Sequence, residues 1–90
     1  MSIRRWFRLH EARQERALRR RLRQATRNLK AARASLAAAR EYTPQDLGDL
    51  EDRMDWEDQA RNSIWYWTKE QGRLMKQLNF YFPVRTAKAN

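Results

Sequence analysis

Cysteine is absent from this 90-residue chain, and glycine and proline occur only twice each. Without cysteine the chain can form neither a disulfide framework nor a metal site built on thiolates. Two glycines are too few for a glycine-rich loop that cradles a nucleotide phosphate. His10 is the only histidine, and neither Ser35 nor Ser63 stands in a pattern typical of a catalytic triad or a nucleophile elbow. We therefore expect a protein that is not an enzyme and that uses no metal or cofactor.

Long hydrophobic runs are also missing. No apolar stretch approaches the eighteen or more residues of a membrane-spanning helix. The start of the chain lacks the uninterrupted apolar segment of a secretion signal, because Arg4, Arg5 and Arg8 interrupt it. We expect a cytoplasmic, intracellular protein. Trp6 and Phe7 beside these arginines also fit a membrane-surface anchor, and the arginine-rich start also fits an organellar presequence.

Acidic residues are absent from residues 16–40, a segment that also lacks glycine and proline and carries nine basic residues. Six basic residues follow one another at alternating steps of three and four, and we call them the basic stripe: Arg13, Arg16, Arg20, Arg23, Arg27 and Lys30. This spacing puts them on one face of a helix, over about 25 Å at roughly 1.5 Å per residue. Like charges at this spacing destabilise a helix by about 0.2–0.5 kcal/mol per pair, so the stripe indicates an acidic partner.

A second row of residues steps along the same segment in the same way and is apolar: Leu18, Leu22, Ala25, Leu29, Ala32, Leu36 and Ala39. If this row forms the a and d positions of a heptad, the basic stripe occupies the b and f positions on the opposite side of the helix. The apolar row therefore predicts a packing seam. Its alanines recur at every seventh residue and would let a second helix approach closely.

The strongest break in the pattern is the segment from Thr43 to Asp46. Thr43 suits a helix N-cap, Pro44 suits the first helical position, and the charge of Asp46 suits the positive end of the helix dipole. Gly48 weakens the opening turn of this helix. Pro83 should end it. The sequence therefore predicts a second helix between these two breaks.

The predicted fold is all-α, with two long antiparallel helices joined by a short turn. The predicted bounds are a helical hairpin within residues 1–82, made of helix 1 at about 3–41, a turn at about 42–43 and helix 2 at about 44–80, followed by a short basic tail at 83–90. A chain of this size buries only a modest core when it folds alone. We therefore expect the hairpin to be completed as a four-helix bundle, by dimerisation or by docking on a partner.

Helix 2 keeps a helical period of larger apolar residues, with polar interruptions at Glu57, Arg61 and Gln71: Leu47, Leu50, Met54, Ile64, Trp67, Leu74 or Met75, Leu78 and Phe82. Residues 43–60 hold seven acidic residues and one arginine, while the opposite, open end of the hairpin is strongly basic. The hairpin places the acidic stretch beside the end of helix 1, and we expect it to pair with Arg33 and Arg40.

Aromatic residues surround helix 2 at one level, because Trp65, Tyr66 and Trp67 lie about 100° apart around the axis. Trp67 fits the seam, whereas Trp65 and Tyr66, together with Trp56, are candidate residues of a protein interface. Packing against the surface and stacking on single-stranded nucleic acid are alternatives. A further group of aromatic and apolar residues is expected to close the open end of the hairpin: Ile3, Trp6, Phe7 and His10 with Phe80, Tyr81 and Phe82.

The net charge of +9 and the isoelectric point near 11.0 predict attraction to nucleic acid or to an acidic protein surface. Sixteen of the twenty basic residues are arginines, which favours bidentate contacts with phosphates or carboxylates. No motif for reading base sequence is present. We expect a nucleic-acid-binding or nucleoprotein-associated accessory protein whose basic stripe contacts backbone phosphates. The alternative is a protein-interaction module, such as a small subunit, adaptor or inhibitor carried by a mobile element, that docks on an acidic protein surface through its arginines and aromatic residues.

Overall fold

The computed structural model describes residues 2–83 and contains two α-helices, α1 (Ile3–Glu41) and α2 (Leu47–Tyr81), with no strand among those residues. The two helices pack against each other along the hairpin. The prediction of an all-α helical hairpin is confirmed. Apart from Pro83, the predicted tail at 83–90 lies outside the described residues.

Two hydrogen bonds cross between the helices and show that they are antiparallel. Trp56 Nε1 donates to Ser35 Oγ at 2.7 Å, and Gln71 Nε2 donates to Thr26 Oγ1 at 3.0 Å. The later residue of α2 therefore meets the earlier residue of α1. The connection 42–46 is too short for any other arrangement of long neighbouring helices.

Helix α1 is long because nothing in its sequence interrupts it, since it contains no glycine and no proline. Its first turn is capped by Ser2, whose side chain accepts a hydrogen bond from the Arg5 backbone N–H at 3.2 Å. At the other end the Tyr42 N–H still donates to the Ala38 carbonyl at 3.1 Å. Residue 42 then adopts an extended backbone, which ends the helix.

The N-cap of α2 is Asp46, and the expectation that Thr43 would be the N-cap is wrong. The Asp46 carboxylate accepts from the Asp49 N–H at 2.8 Å, and the Asp49 carboxylate accepts from the Gln45 N–H at 3.1 Å. Asp and Thr both cap helices, but these two carboxylates together satisfy two backbone donors at the helix start. The helix consequently starts at Leu47, three residues after Pro44.

The core of the hairpin is thin. Among residues 2–83, seven hydrophobic residues are buried: Ala25, Leu29, Ala32, Ala39, Ala60, Leu74 and Leu78. Four of the seven are alanines, so close approach of the helices replaces the burial of large side chains. The radius of gyration is 20.2 Å, against about 12 Å for a compact domain of this length. The hairpin is therefore an elongated pair of helices with little interior.

The seam of α2 lies one residue away from the predicted row in its first half. Leu47 and Met54 were expected in the seam but are 70% and 54% exposed, and Arg61 is exposed as well. Arg53 and Ala60 take the places predicted for Met54 and Arg61, whereas Glu57 lies in the seam as predicted. Arg53 Nε lies 3.5 Å from a Glu57 carboxylate oxygen. The observed seam continues at steps of three and four through Leu50, Arg53, Glu57, Ala60, Ile64, Trp67, Gln71, Leu74 and Leu78. A small residue at position 60 permits the close helix contact, so the row that contains it faces α1.

Direct pairing of the acidic stretch with Arg33 and Arg40 is not formed. All five ion pairs between residues 2 and 83 join side chains of the same helix. In the acidic half of α2, Glu57 pairs with Arg53 and with Arg61, four residues before and after it. An arginine three or four residues away on the same helix face is closer to Glu57 than an arginine on α1, so the ion pairs form within α2.

The expected aromatic cluster at the open end is also not formed. Tyr81 and Phe82 line a pocket with Gln14 and Leu18, so the end of α2 lies at the level of Gln14. Residues 3–13 extend beyond α2 and are exposed along their whole length, and we call them the overhang. The overhang is uncovered, and the aromatic cluster does not form, because α2 is displaced along α1 toward the turn. Tyr42, which follows the last residue of α1, reaches the first turn of α2 with its side chain.

Candidate nucleic-acid interface and two aromatic surfaces

The basic stripe is an open cationic surface on α1. All six of its side chains are exposed, and none of them forms an ion pair with any residue between 2 and 83. A side-chain hydrogen bond from the stripe runs from Arg16 Nε to the Ala12 carbonyl at 3.3 Å, on the same helix. Nearby Arg19, outside the stripe, is instead bound by Glu15 at 2.8 Å. The guanidinium groups of the stripe therefore keep most of their donors available for an external anion.

Two further arginines extend this surface toward the turn. Arg33 and Arg40 follow Lys30 along the neighbouring row of α1, are exposed, and form no ion pair within the described part of the chain. The exposed basic surface of α1 thus reaches about 40 Å from Arg13 to Arg40 at 1.5 Å per residue. These two arginines were expected to pair with the acidic stretch of helix 2 and are therefore not among the predicted site residues.

A groove runs along one side of the hairpin, between α1 and α2. Its volume is about 530 Å³, and its lining residues are Asn28, Ala31, Ala32, Ser35, Trp56, Gln59, Ala60, Ser63 and Trp67. The hydrogen bond from Trp56 to Ser35 fixes the indole at one end, and Trp67 lies at the other. Small side chains form the part between them. None of the lining residues is charged, in a chain in which 34% of the residues are.

A second aromatic surface lies on the outer side of α2 and is built around Trp65 and Tyr66. These side chains are 64% and 52% exposed, and the Lys69 ammonium sits 4.4 Å from the centre of the Trp65 ring. Arg73 completes the same pocket and is bound by Glu70. We call this surface the outer patch. It combines aromatic faces with cationic groups.

The three aromatic residues expected at one interface lie on two different surfaces. Trp65 and Tyr66 belong to the outer patch, whereas Trp56 lines the groove. Trp67, which was assigned to the seam, is half-buried and lines the groove with Trp56. The groove does not follow from the sequence pattern, because the predicted row places Met54 toward α1 and so turns the row with Trp56 and Ser63 away from it.

The turn carries a clearly perturbed side chain. The negative charge of Asp49 raises the pKa of Tyr42 above its ordinary value, and partial desolvation and a hydrogen bond from the Tyr42 hydroxyl to the Asp49 carboxylate at 3.3 Å add to this. Tyr42 therefore stays protonated and anchors the acidic turn. It does not contribute to the basic surface.

Within residues 2–83 the acidic side chains do not gather into a group of three that could hold a metal ion. Neither of the two helices in that range has a segment apolar and long enough to cross a membrane.

Comparison with known proteins gives no family assignment. No family model matches the chain, and no curated protein or solved structure shows significant similarity to it.

Proposed function

We propose that this protein is a non-enzymatic accessory of nucleic acid or nucleoprotein, and that α1 binds the phosphate backbone through the basic stripe. The observation that carries the proposal is the exposure of all six stripe side chains without an ion pair in the described part of the chain. A helix surface that serves only as a solvated face gains stability by mixing charges of both signs. This one forgoes that gain along about 25 Å.

The arrangement suits backbone contact better than base recognition. Arginines predominate in the stripe, and each can present two parallel donors to a phosphate. Contacts of this kind position a protein on nucleic acid without reading its sequence. Because the seam lies on the opposite side of α1, phosphate binding leaves the packing of the hairpin unchanged.

The test is a variant with four stripe substitutions, Arg16→Gln, Arg20→Gln, Arg23→Gln and Arg27→Gln. We expect unchanged helicity, weaker binding to DNA and RNA, and a flatter salt dependence of the binding constant. In a plot of the logarithm of the binding constant against the logarithm of the salt concentration, the slope should become shallower by about 0.9 for each phosphate that the variant no longer binds. Fluorescence anisotropy at several salt concentrations measures both the affinity and the slope.

The matched control removes the same charge from α2, through Arg61→Gln, Lys69→Gln, Arg73→Gln and Lys76→Gln. Both variants lower the net charge from +9 to +5. The control should keep most of the affinity and most of the salt dependence. Equal losses in the two variants would show diffuse attraction without a defined site, and wild-type affinity no better than millimolar at low salt would exclude nucleic-acid binding.

A second candidate function is a protein-interaction module, and the outer patch favours it. Exposed tryptophan and tyrosine beside lysine and arginine are the residue types that dominate binding energy at protein interfaces. The alternative has an acidic partner surface contact the arginines while Trp65 and Tyr66 supply the anchors. Truncation of such an anchor typically costs about 2 kcal/mol or more of binding energy.

The double variant Trp65→Ala and Tyr66→Ala tests this alternative at unchanged net charge. It should keep the helicity of the hairpin and lose its protein partner in a pull-down from host lysate treated with nuclease. The stripe variant, in contrast, should lose partners that nuclease also removes. If the double variant keeps every protein partner, the outer patch is not a binding surface and its aromatic side chains only pack against the helix surface.

We further propose that the hairpin completes its core by self-association into a four-helix bundle. A core with four alanines among seven buried residues, and thirteen large hydrophobic side chains exposed between residues 2 and 83, calls for additional burial. Light scattering should give about twice the 11.0 kDa chain mass at micromolar concentration. A stable monomer would contradict the bundle.

A further inference from the structure

The groove is a side of the hairpin where a second copy of this chain can approach without meeting its own charge. The basic stripe covers the outer side of α1, and Lys69 and Arg73 mark the outer side of α2. Each copy carries +9, and contact between two basic stripes would bring like charges together, whereas the outer side of α2 mixes these cations with the exposed Glu51, Asp55 and Asp58. The groove contributes only uncharged side chains.

The charge distribution along the hairpin also sets the orientation of that second copy. The half of the hairpin that contains the turn, residues 24–60, holds eight acidic residues against Arg27, Lys30, Arg33, Arg40 and Arg53, a net charge of −3. Residues 2–23, at the open end, hold nine arginines against Glu11 and Glu15. Two hairpins side by side with their turns at opposite ends bring the acidic turn of each beside the basic open end of the other. A parallel pair would bring acid onto acid and base onto base.

The shape of the groove fits the same arrangement. Ala31, Ala60 and Ser63 lie near its middle, where small side chains permit close helix contact, and Trp56 and Trp67 stand toward its two ends. A twofold axis perpendicular to the helices through the middle of the groove exchanges these ends. Each Trp56 then faces the partner's Trp67, and one surface serves both copies, as twofold symmetry requires.

We infer that the groove is the self-association surface of this protein and that it takes a second copy in antiparallel orientation. The inference rests on the four-helix bundle proposed above and names its interface. The stripe stays outside the contact between the copies, because none of its six residues lines the groove. The bundle then presents two basic stripes, one on each copy, to nucleic acid.

The first experiment compares two alanine-to-arginine variants of α1 by analytical ultracentrifugation. Ala31 is exposed and lines the groove, whereas Ala37 is exposed and lies in the same row as Arg23 and Lys30, on the stripe side. Both variants have the same charge and the same helix propensity. Ala31→Arg buries an unpaired charge in the interface and should raise the dimer dissociation constant by about tenfold or more, while Ala37→Arg should change it by less than about threefold.

Circular dichroism must show unchanged helicity in both variants, which an exposed position should allow. A dimeric wild type that is equally unaffected by both substitutions would overturn the inference and leave the bundle proposal standing. A monomeric wild type would overturn the inference and the bundle together. Nucleic-acid binding is measured separately and distinguishes either failure from that of the phosphate-binding proposal.

The second experiment determines the orientation with a spin label at Gln45→Cys, a clean site because the chain has no native cysteine. Gln45 is exposed in the connection, and its hydrogen bond to Asp49 uses only its backbone. About fourteen residues separate it from the middle of the groove, so the antiparallel pair predicts labels about 40 Å apart at 1.5 Å per residue, and a parallel pair about 20 Å or less. A distance distribution centred on the short value would overturn the antiparallel assignment.

Discussion

Asp46 fixes where α2 begins, and its effect can be measured on its own. Its carboxylate accepts from the Asp49 N–H at 2.8 Å, whereas Thr43 lies outside the helix in the connection. Asp46→Ala should lower the free energy of unfolding by about 1 kcal/mol, because a donor at the helix start loses its partner. Urea denaturation at one fixed protein concentration measures this.

Thr43→Ala is the matched control, since it removes the side chain that the sequence pattern favoured as a cap. We expect a change within about 0.5 kcal/mol, as for an ordinary surface substitution. A larger loss for Thr43→Ala than for Asp46→Ala would mean that the helix starts earlier in solution. The N-cap of α2 could not be predicted from the sequence, because Thr43, Asp46 and Asp49 are all residue types that suit a helix start.

The two helices differ in how far their packing could be predicted. The seam of α1 was predictable because one row is uniformly apolar and the opposite row uniformly basic, so only one rotation buries apolar side chains and exposes charge. In α2 the row with Leu47 and Met54 competes with the row that contains Arg53 and Ala60. Hydrophobicity alone favours packing of the row with Leu47 and Met54 against α1. The close approach of the two helices at Ala60 favours packing of the other row. The choice depends on the partner helix, which a single-helix pattern does not contain.

The overhang should exchange its amide hydrogens much faster than the rest of α1. Residues 3–13 have no covering helix, and their aromatic contacts, such as Trp6 stacked on His10 with ring centres 5.3 Å apart, stay within the overhang. Local opening there breaks no contact with α2, whereas opening at Leu29 breaks the core. Hydrogen–deuterium exchange resolved along α1 should show weak protection before Gln14 and strong protection from about Leu22 to Leu36.

The central part of α1 serves as the control for the overhang, because both belong to one uninterrupted helix. Uniform protection along α1 would mean that another surface covers Trp6 and Phe7. The sequence predicted that α2 would provide that cover. It could not reveal the displacement of α2, which depends on the extended path of the connection and on the position of the cap.

At the scale of the whole molecule, the distribution of charge was the easiest feature to predict. The hardest was which residues share a surface. An acidic turn and a basic open end follow from counting residues along two antiparallel arms. The division of the aromatic residues between the groove and the outer patch does not, because it requires the rotation of α2. With Arg53 and Ala60 toward α1, Trp56 lies beside the seam and donates to Ser35, whereas with Met54 toward α1 it would be turned away from α1. The function of each aromatic residue therefore depends on a packing detail.

If the hairpin obtains its missing core from a second copy, its thermal stability must depend on concentration. A tenfold increase in concentration stabilises a dimer by about 1.4 kcal/mol, which corresponds to about 4 °C in the unfolding midpoint for a bundle of this size. The stripe variant with four glutamines should show the same concentration dependence at a slightly higher midpoint. Its net charge falls from +9 to +5, which relieves repulsion within α1 and between copies. Scanning calorimetry of both proteins at three concentrations checks this. A midpoint independent of concentration would show that two helices with a mostly alanine seam are stable alone, and a lower midpoint for the stripe variant would show that its arginines stabilise the fold.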